Sequence, residues 1–251
     1  MKEIKVLTDI LGIEPIADVT KEVVLAGLKG VSAFLNAVFK PGMEELGSML
    51  KDEVRYWRLK NIISILKKAE RKLQFDGKEL QIYANARVGL EIIEEGSKID
   101  DPELQEIWAG LFASSCTKEG KDDSNIIFVD ILKRLSQMEA RILKYACENC
   151  KTIETANLIM SENLEVSADV IKDIAQTDDI VRIDRELDHL LSLSLIHSGV
   201  LWEPSGGIQL ENGNIKSVVI TPTALALNLY YKTNAVEQSP KEFWTAIKKK
   251  Q

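Results

Sequence analysis

The chain keeps two different periods, and the change falls at Ser136. Before it, apolar residues return every three to four positions between stops marked by Pro and Gly, which is the spacing of helices that bury one face. After it, helices give way to a mixed pattern with short β-rich runs and the strong two-residue hairpin signal Asn212-Gly213. A chain punctuated this way cannot be one continuous bundle, because a helical period does not sit in a strand.

In the first half, Thr20 is the N-cap of a helix running to about Phe39, where Pro41-Gly42 stops it. Val23, Val24, Gly27, Leu28, Val31, Phe34, Leu35 and Val38 share one broad arc, with Lys21, Glu22, Lys29, Ser32, Asn36 and Lys40 opposite. Ala26, Gly30, Ala33 and Ala37 form a row of small residues beside the apolar arc. A second helix is expected from Met43 or Glu44 to Leu73, with basic exposed positions that include Lys51, Arg55, Arg58, Lys60, Lys67, Lys68, Arg71 and Lys72. A third is expected from Ile82 to Glu95. Asp101-Pro102 then supplies an N-cap and a first-turn proline for a helix carrying Leu104, Ile107, Trp108, Leu111 and Phe112 inward. A short helix over Ile126–Leu135 closes this half.

Ser136 and Glu139 have the spacing of a capping box. Helices are expected over Ser167–Gln176 and Asp179–Leu193, followed by β-rich runs at Leu195–Trp202, Ile208–Leu210 and Ile215–Ile220. Thr221-Pro222 starts a helix over Ala224–Tyr231 with Pro at its first position. Three helices followed by a hairpin are the order of a winged helix. The expected fold is mainly α: a lead segment at 1–19, a helical domain at 20–134, a winged-helix-like α+β domain at 136–232 and a tail at 233–251 with one short helix around Phe243-Trp244.

The formal charge of -7 and pI near 5.1 exclude a surface that is basic overall, so any contact with nucleic acid or anionic membrane has to be local. The three cysteines, Cys116, Cys147 and Cys150, make no disulfide framework, and the odd count fits a reducing cytoplasm. Met1–Ile10 lacks the apolar stretch and cleavage site of a signal peptide, which gives the cytosol as the expected location.

Chemistry-bearing motifs are sparse. Cys147 and Cys150 close a helix, where the dipole raises a thiol pKa, and no second ligand pair completes a zinc site. His189 has Asp188 beside it to orient it, but no nucleophile motif or Walker loop accompanies it, and a solvated helix face is the reading adopted. In the third helix of the winged-helix order, Arg182 and Arg185 are outnumbered by Asp178, Asp179, Asp184, Glu186 and Asp188, which repels duplex DNA. The assigned sites are therefore surfaces. Arg55, Tyr56, Trp57 and Arg58 set two aromatics between two guanidinium groups, fit either for docking an acidic or phosphate-rich partner or for packing with local ion pairs. Ala26, Gly30, Ala33 and Ala37 are the residues for self-association, on a helix that otherwise serves as a core helix or, across residues 20–40, as a peripheral membrane contact.

Three segments, Gly47–Asn61, Asp100–Ala113 and Ile131–Leu143, resemble in order and separation the abortive-infection alpha family, a mostly helical bacterial group linked to defence against phage. The resemblance is strongest over 44–143, and Leu190–Ile196 with Ile220–Leu225 looks like the family's closing pattern; Gly110 and the turn at Ser136–Glu139 depart from it. It implies bacterial or prophage-borne antiviral defence and brings no catalytic residues to transfer. The expected function is a cytosolic defence protein acting through protein interaction or self-association, with no catalytic, cofactor-binding or metal residues assigned. A DNA-binding regulator and a nuclease-like toxin are the alternatives.

Overall fold

The structure is a computed structural model that describes residues 26, 27, 30, 31, 33–39, 56–76, 81–155, 158–197, 207–211, 214–234 and 238–249. It is mainly helical with small antiparallel sheets, and it divides into two compact units, Met1–Lys133 and Arg134–Gln251.

In the first unit, α1 is helical at the described positions within 26–38, and α2 spans Tyr56–Lys72. Residues 40–55, where the second helix was expected to begin, lie outside the described residues. A short strand β1 (Tyr83–Ala84) precedes α3 (Ala86–Gly96), then come α4 (Pro102–Ser114), β2 (Cys116–Thr117) and α5 (Ile126–Leu132). The third helix thus starts later than the expected Ile82. Tyr83 pairs with Thr117 and Ala84 with Cys116, while the Asn85 side chain accepts the Val88 amide and so sets the helix start. Asp101 caps α4 as expected, accepting the Leu104 amide at 2.8 Å, with Pro102 at the first turn.

α4 is the centre of this unit. Leu104, Trp108, Ala109, Leu111, Phe112 and Ala113 are all buried, so the helix is covered almost all round, as a helix of a core must be. Phe34 of α1 and Phe39 just after it meet the Phe112 ring tilted and edge-on, at 6.1 and 6.2 Å between centroids. Two glycines permit this closeness. A Cβ on Gly89 of α3 would lie 2.7 Å from the Phe39 ring, and one on Gly27 of α1 would lie 3.2 Å from Ile63 of α2.

The second unit opens with α6 (Gln137–Asn149), whose capping box at Ser136 and Glu139 forms in full. Three strands beyond those expected follow: β3 (Thr152–Thr155), β4 (Leu158–Ser161) and β5 (Leu164–Ser167). They went unread because each is only four residues long and β4 alternates exposed and half-buried positions, too few for a period to declare itself. Helices α7 (Ala168–Ala175) and α8 (Ile180–Ser192) come next, capped by Ser167 and Asp179. β6 (Gly207–Glu211) and β7 (Asn214–Ile220) pair antiparallel across the hairpin signal, and β5 adds to the far side of β7, giving the order β5-β7-β6.

The run at Leu195–Trp202 is not a strand where it is described: Ile196 makes an isolated bridge to Pro222, and residues 198–206 lie outside the described residues. That bridge also moves Pro222 out of the following helix. α9 (Ala224–Asn234) starts after Thr223, whose hydroxyl accepts the Ala226 amide at 3.1 Å. α10 (Pro240–Lys248) sets Phe243 and Trp244 against Tyr230 at 6.0 and 5.9 Å. Among the described residues no helix is long and apolar enough to cross a membrane.

Trp108 is fully buried at the heart of the first unit, so Trp108→Ala should cost about 3–5 kcal/mol of stability. Urea denaturation reads this as a lower midpoint; a cost below about 1 kcal/mol would mean that α4 is not the centre of the core.

Candidate functional site

α2 carries cations on three sides, and its neighbours sort them. Its apolar stripe, Leu59, Ile62, Ile63, Ile65, Leu66 and Ala69, is buried. On the flank toward α3, Arg58 donates to Glu94 Oε1 at 2.8 Å and to Ser97 Oγ at 2.9 Å, and Asn61 donates to the Ser97 carbonyl at 3.2 Å. On the flank toward α4, Lys68 reaches Glu106 at 3.1 Å and the Pro102 carbonyl at 2.9 Å, and Lys72 reaches Glu106 at 3.5 Å. Partial burial alone would raise the Glu106 carboxyl, but the two ammonium groups outweigh it and hold it below its ordinary value.

What remains forms the outer stripe. Trp57 is 42% exposed, and Lys60, Lys67 and Arg71 are exposed with no ion pair among the described residues. At a helical rise the stripe runs about 21 Å. Lys67 and Arg71, with Glu70, Gln74 and Phe75, line a shallow hollow at its far end. Beside it lies the row on α1. Ala26, Gly30 and Ala33 are exposed and Ala37 is half-buried, and a Cβ on Gly30 would sit 3.9 Å from Lys67 Cε, so the two surfaces meet at that point. On α1 the close approach to α2 is made at Gly27, outside the row.

The four-residue docking cluster is thereby divided. Arg58 is turned inward and bonded, and Trp57 faces outward; Arg55 and the side chain of Tyr56 lie outside the described residues. Lys60, Lys67 and Arg71 were visible in the sequence as part of a basic helix. Separating them from Lys68 and Lys72 required knowing where Glu106 stands.

A polar cluster of the second unit centres on Glu139. Glu139 is fully buried, accepting the Ser136 amide at 2.6 Å with one carboxylate oxygen and pairing through the other with Nδ1 of His189. The Ser136 hydroxyl donates to Glu186 at 2.6 Å, and Arg185 and Arg182 approach Glu186 at 3.2 and 4.0 Å. His189 is therefore oriented by Glu139 of α6. Asp188, its neighbour in the sequence, points outward, since successive helical residues leave the axis about 100° apart, and His189 is half-buried against Glu139 rather than on the solvated face expected. The Ser136 hydroxyl is occupied by Glu186, so the cluster ties α6 to α8 without presenting a nucleophile to the histidine.

Cys116, Cys147 and Cys150 are buried thiols. Burial pushes the Cys116 thiol up to about 12 and the Cys150 thiol to about 11. Burial, with Cys150 and Glu148 nearby, pushes Cys147 well up too. Among the described residues no group of His, Cys, Asp and Glu is arranged to hold a metal ion.

Compared with protein families, residues 58–218 match the family described as abortive infection alpha, which is more than half of the chain. The chain belongs to the abortive infection alpha family. No curated protein and no solved structure matches it. The abortive infection alpha span holds Arg58, Lys60, Lys67, Arg71 and the whole of α8, whereas Trp57, Arg55, Tyr56 and the row on α1 lie before it.

Glu186 titrates below its ordinary value of 4.5: burial would raise it, but Ser136, Arg185 and Arg182 together lower it. A lowered folded pKa contributes stability that is complete above about pH 4.5 and disappears as the pH falls through the folded value. Stability should therefore drop on acidification below that point, and less steeply in Glu186→Gln; equal pH dependence of the two proteins in thermal melts would contradict this.

At pH 8 the native thiols should react with iodoacetamide far more slowly than those of the urea-unfolded chain, because thiolate is scarce and access is closed. Rapid modification of Cys147 or Cys150 in native protein would reopen a redox role.

Proposed function

We propose that the protein is a cytosolic abortive-infection defence factor that acts by binding rather than by catalysis, and that the outer stripe of α2 is its working surface. One observation supports this above the rest: Trp57, Lys60, Lys67 and Arg71 stand exposed and without ion pairs among the described residues, in a chain whose net charge is -7. An acidic protein that keeps a basic stripe with an exposed aromatic has a surface suited to an acidic partner, since cations with an adjacent ring give both attraction and desolvated contact area. The low relief of Ala26, Gly30 and Ala33 extends the surface, consistent with self-association.

The second unit is read as a winged helix. Apart from the β3–β4 hairpin inserted after α6, its order α6, β5, α7, α8, β6, β7 and its sheet order β5-β7-β6 support that arrangement. This order also favours the second reading, a DNA-binding regulator, but charge weighs against it. α8 would be the recognition helix, and it exposes Asp184 and Asp188, with Asp178 and Asp179 ahead of it, while its arginines lean on Glu186.

The triple variant Lys60→Glu, Lys67→Glu, Arg71→Glu should lose protection in a phage-challenge assay at normal expression and melting temperature, since exposed unpaired cations contribute little to stability. Protection retained at the wild-type level would remove α2 as the working surface. Arg58 is left intact because reversing it would break its bonds to Glu94 and Ser97.

A further inference from the structure

We infer that the acidic partner of the α2 stripe is α8 of a second copy of this chain, so that copies associate head to tail. The inference rests on the proposed role of α2 and names its partner.

The outward arc of α8 lies opposite its buried Ile183, Leu187 and Leu190. It carries Val181, 80% exposed, then Asp184 and Asp188, then the exposed Leu191; Arg185 on the same arc is paired with Glu186 at 3.2 Å. Asp178, just before the helix, has a side chain 94% exposed and a distant ion pair to Lys172 at 3.7 Å. Apolar ends with carboxylates between them are the complement of an aromatic followed by cations. The match extends to register, because both elements rise equally per residue. With the two helices antiparallel and Leu191 set on Trp57, Asp188 falls opposite Lys60. Asp184 then falls opposite Ser64, between Lys60 and Lys67, and Val181 lies along the aliphatic stem of Lys67. Asp178, ahead of the helix, lies toward the end of the stripe where Arg71 and Glu70 stand.

A second copy fits as the occupant because every chain carries both faces, so one kind of contact satisfies each copy's basic stripe and each copy's acidic helix. The two faces differ, which makes the contact heterologous: it generates rings or open chains rather than a closed two-fold dimer. The same acidity that keeps α8 off DNA makes it a ligand for a cationic protein face. Being electrostatic and at the surface, the association weakens as salt rises.

The test uses the full chain. Sedimentation velocity over a concentration series at low and high salt should show growth beyond the monomer at low salt and its loss at high salt. Lys60→Glu with Lys67→Glu, and separately Asp184→Lys with Asp188→Lys, should each weaken association roughly tenfold or more. All four changes in one chain should restore it, because the charges are then exchanged rather than removed; this rescue excludes misfolding as the cause of either loss. A wild type that stays monomeric at every concentration, or α8 reversal that leaves association unchanged, overturns the inference. The two failures are distinguishable. If the triple α2 variant loses protection while wild type is monomeric, α2 serves some other acidic partner and only the present inference falls. If that variant keeps protection, the role of α2 falls as well.

Discussion

A carboxylate taken wholly out of water must be paired and hydrogen-bonded, and the arrangement of the second unit follows from how Glu139 meets that demand. One of its oxygens closes the capping box on the Ser136 amide, and the other holds His189 of α8. The capping serine in turn gives its hydroxyl to Glu186, one turn before His189 on the same helix. Local capping and the crossing of α6 with α8 are thus one set of bonds. With Glu186 and His189 fixed inward, the helical period turns Val181, Asp184 and Asp188 outward. The acidic face of α8 is a consequence of this anchoring.

In the first unit the corresponding work is done by neighbours that neutralise some cations of α2 and leave others. Arg58 meets a carboxylate and a hydroxyl together, which suits a planar fork; Lys68 and Lys72 share the single carboxylate of Glu106. These contacts hold α2 to α3 and α4. The cations left over face away from the packed side, so a stripe that can bind arises from the requirement that the other side be neutral.

The family match covers both units yet begins inside α2. Lys60, Lys67, Arg71 and α8 therefore belong to the part that this chain has in common with the abortive infection alpha family, and Trp57 with the α1 row lies ahead of it. The proposed electrostatic contact draws on family positions, and the apolar and small-residue additions come from the segment before them.

Much of the fold was legible where physics is local. The caps at Asp101 and Ser136 could be read because a side-chain acceptor within three residues of an open amide acts regardless of what surrounds it. The β6–β7 hairpin was legible for the same reason, in a two-residue turn between β-rich runs. The charge sum, the basic character of α2 and the family resemblance also came from the sequence alone. Strands β3, β4 and β5 did not, since four residues carry no reliable period and their pairing partners include Val218 and Ile220, dozens of residues away. Nor could the sequence divide the cations of α2 or find the partner of His189, because Glu94, Glu106 and Glu139 are remote in the chain. The sequence by itself determined where helices start and which charges exist; tertiary structure decided which charges are spent internally and which face outward, because that depends on contacts no local pattern encodes.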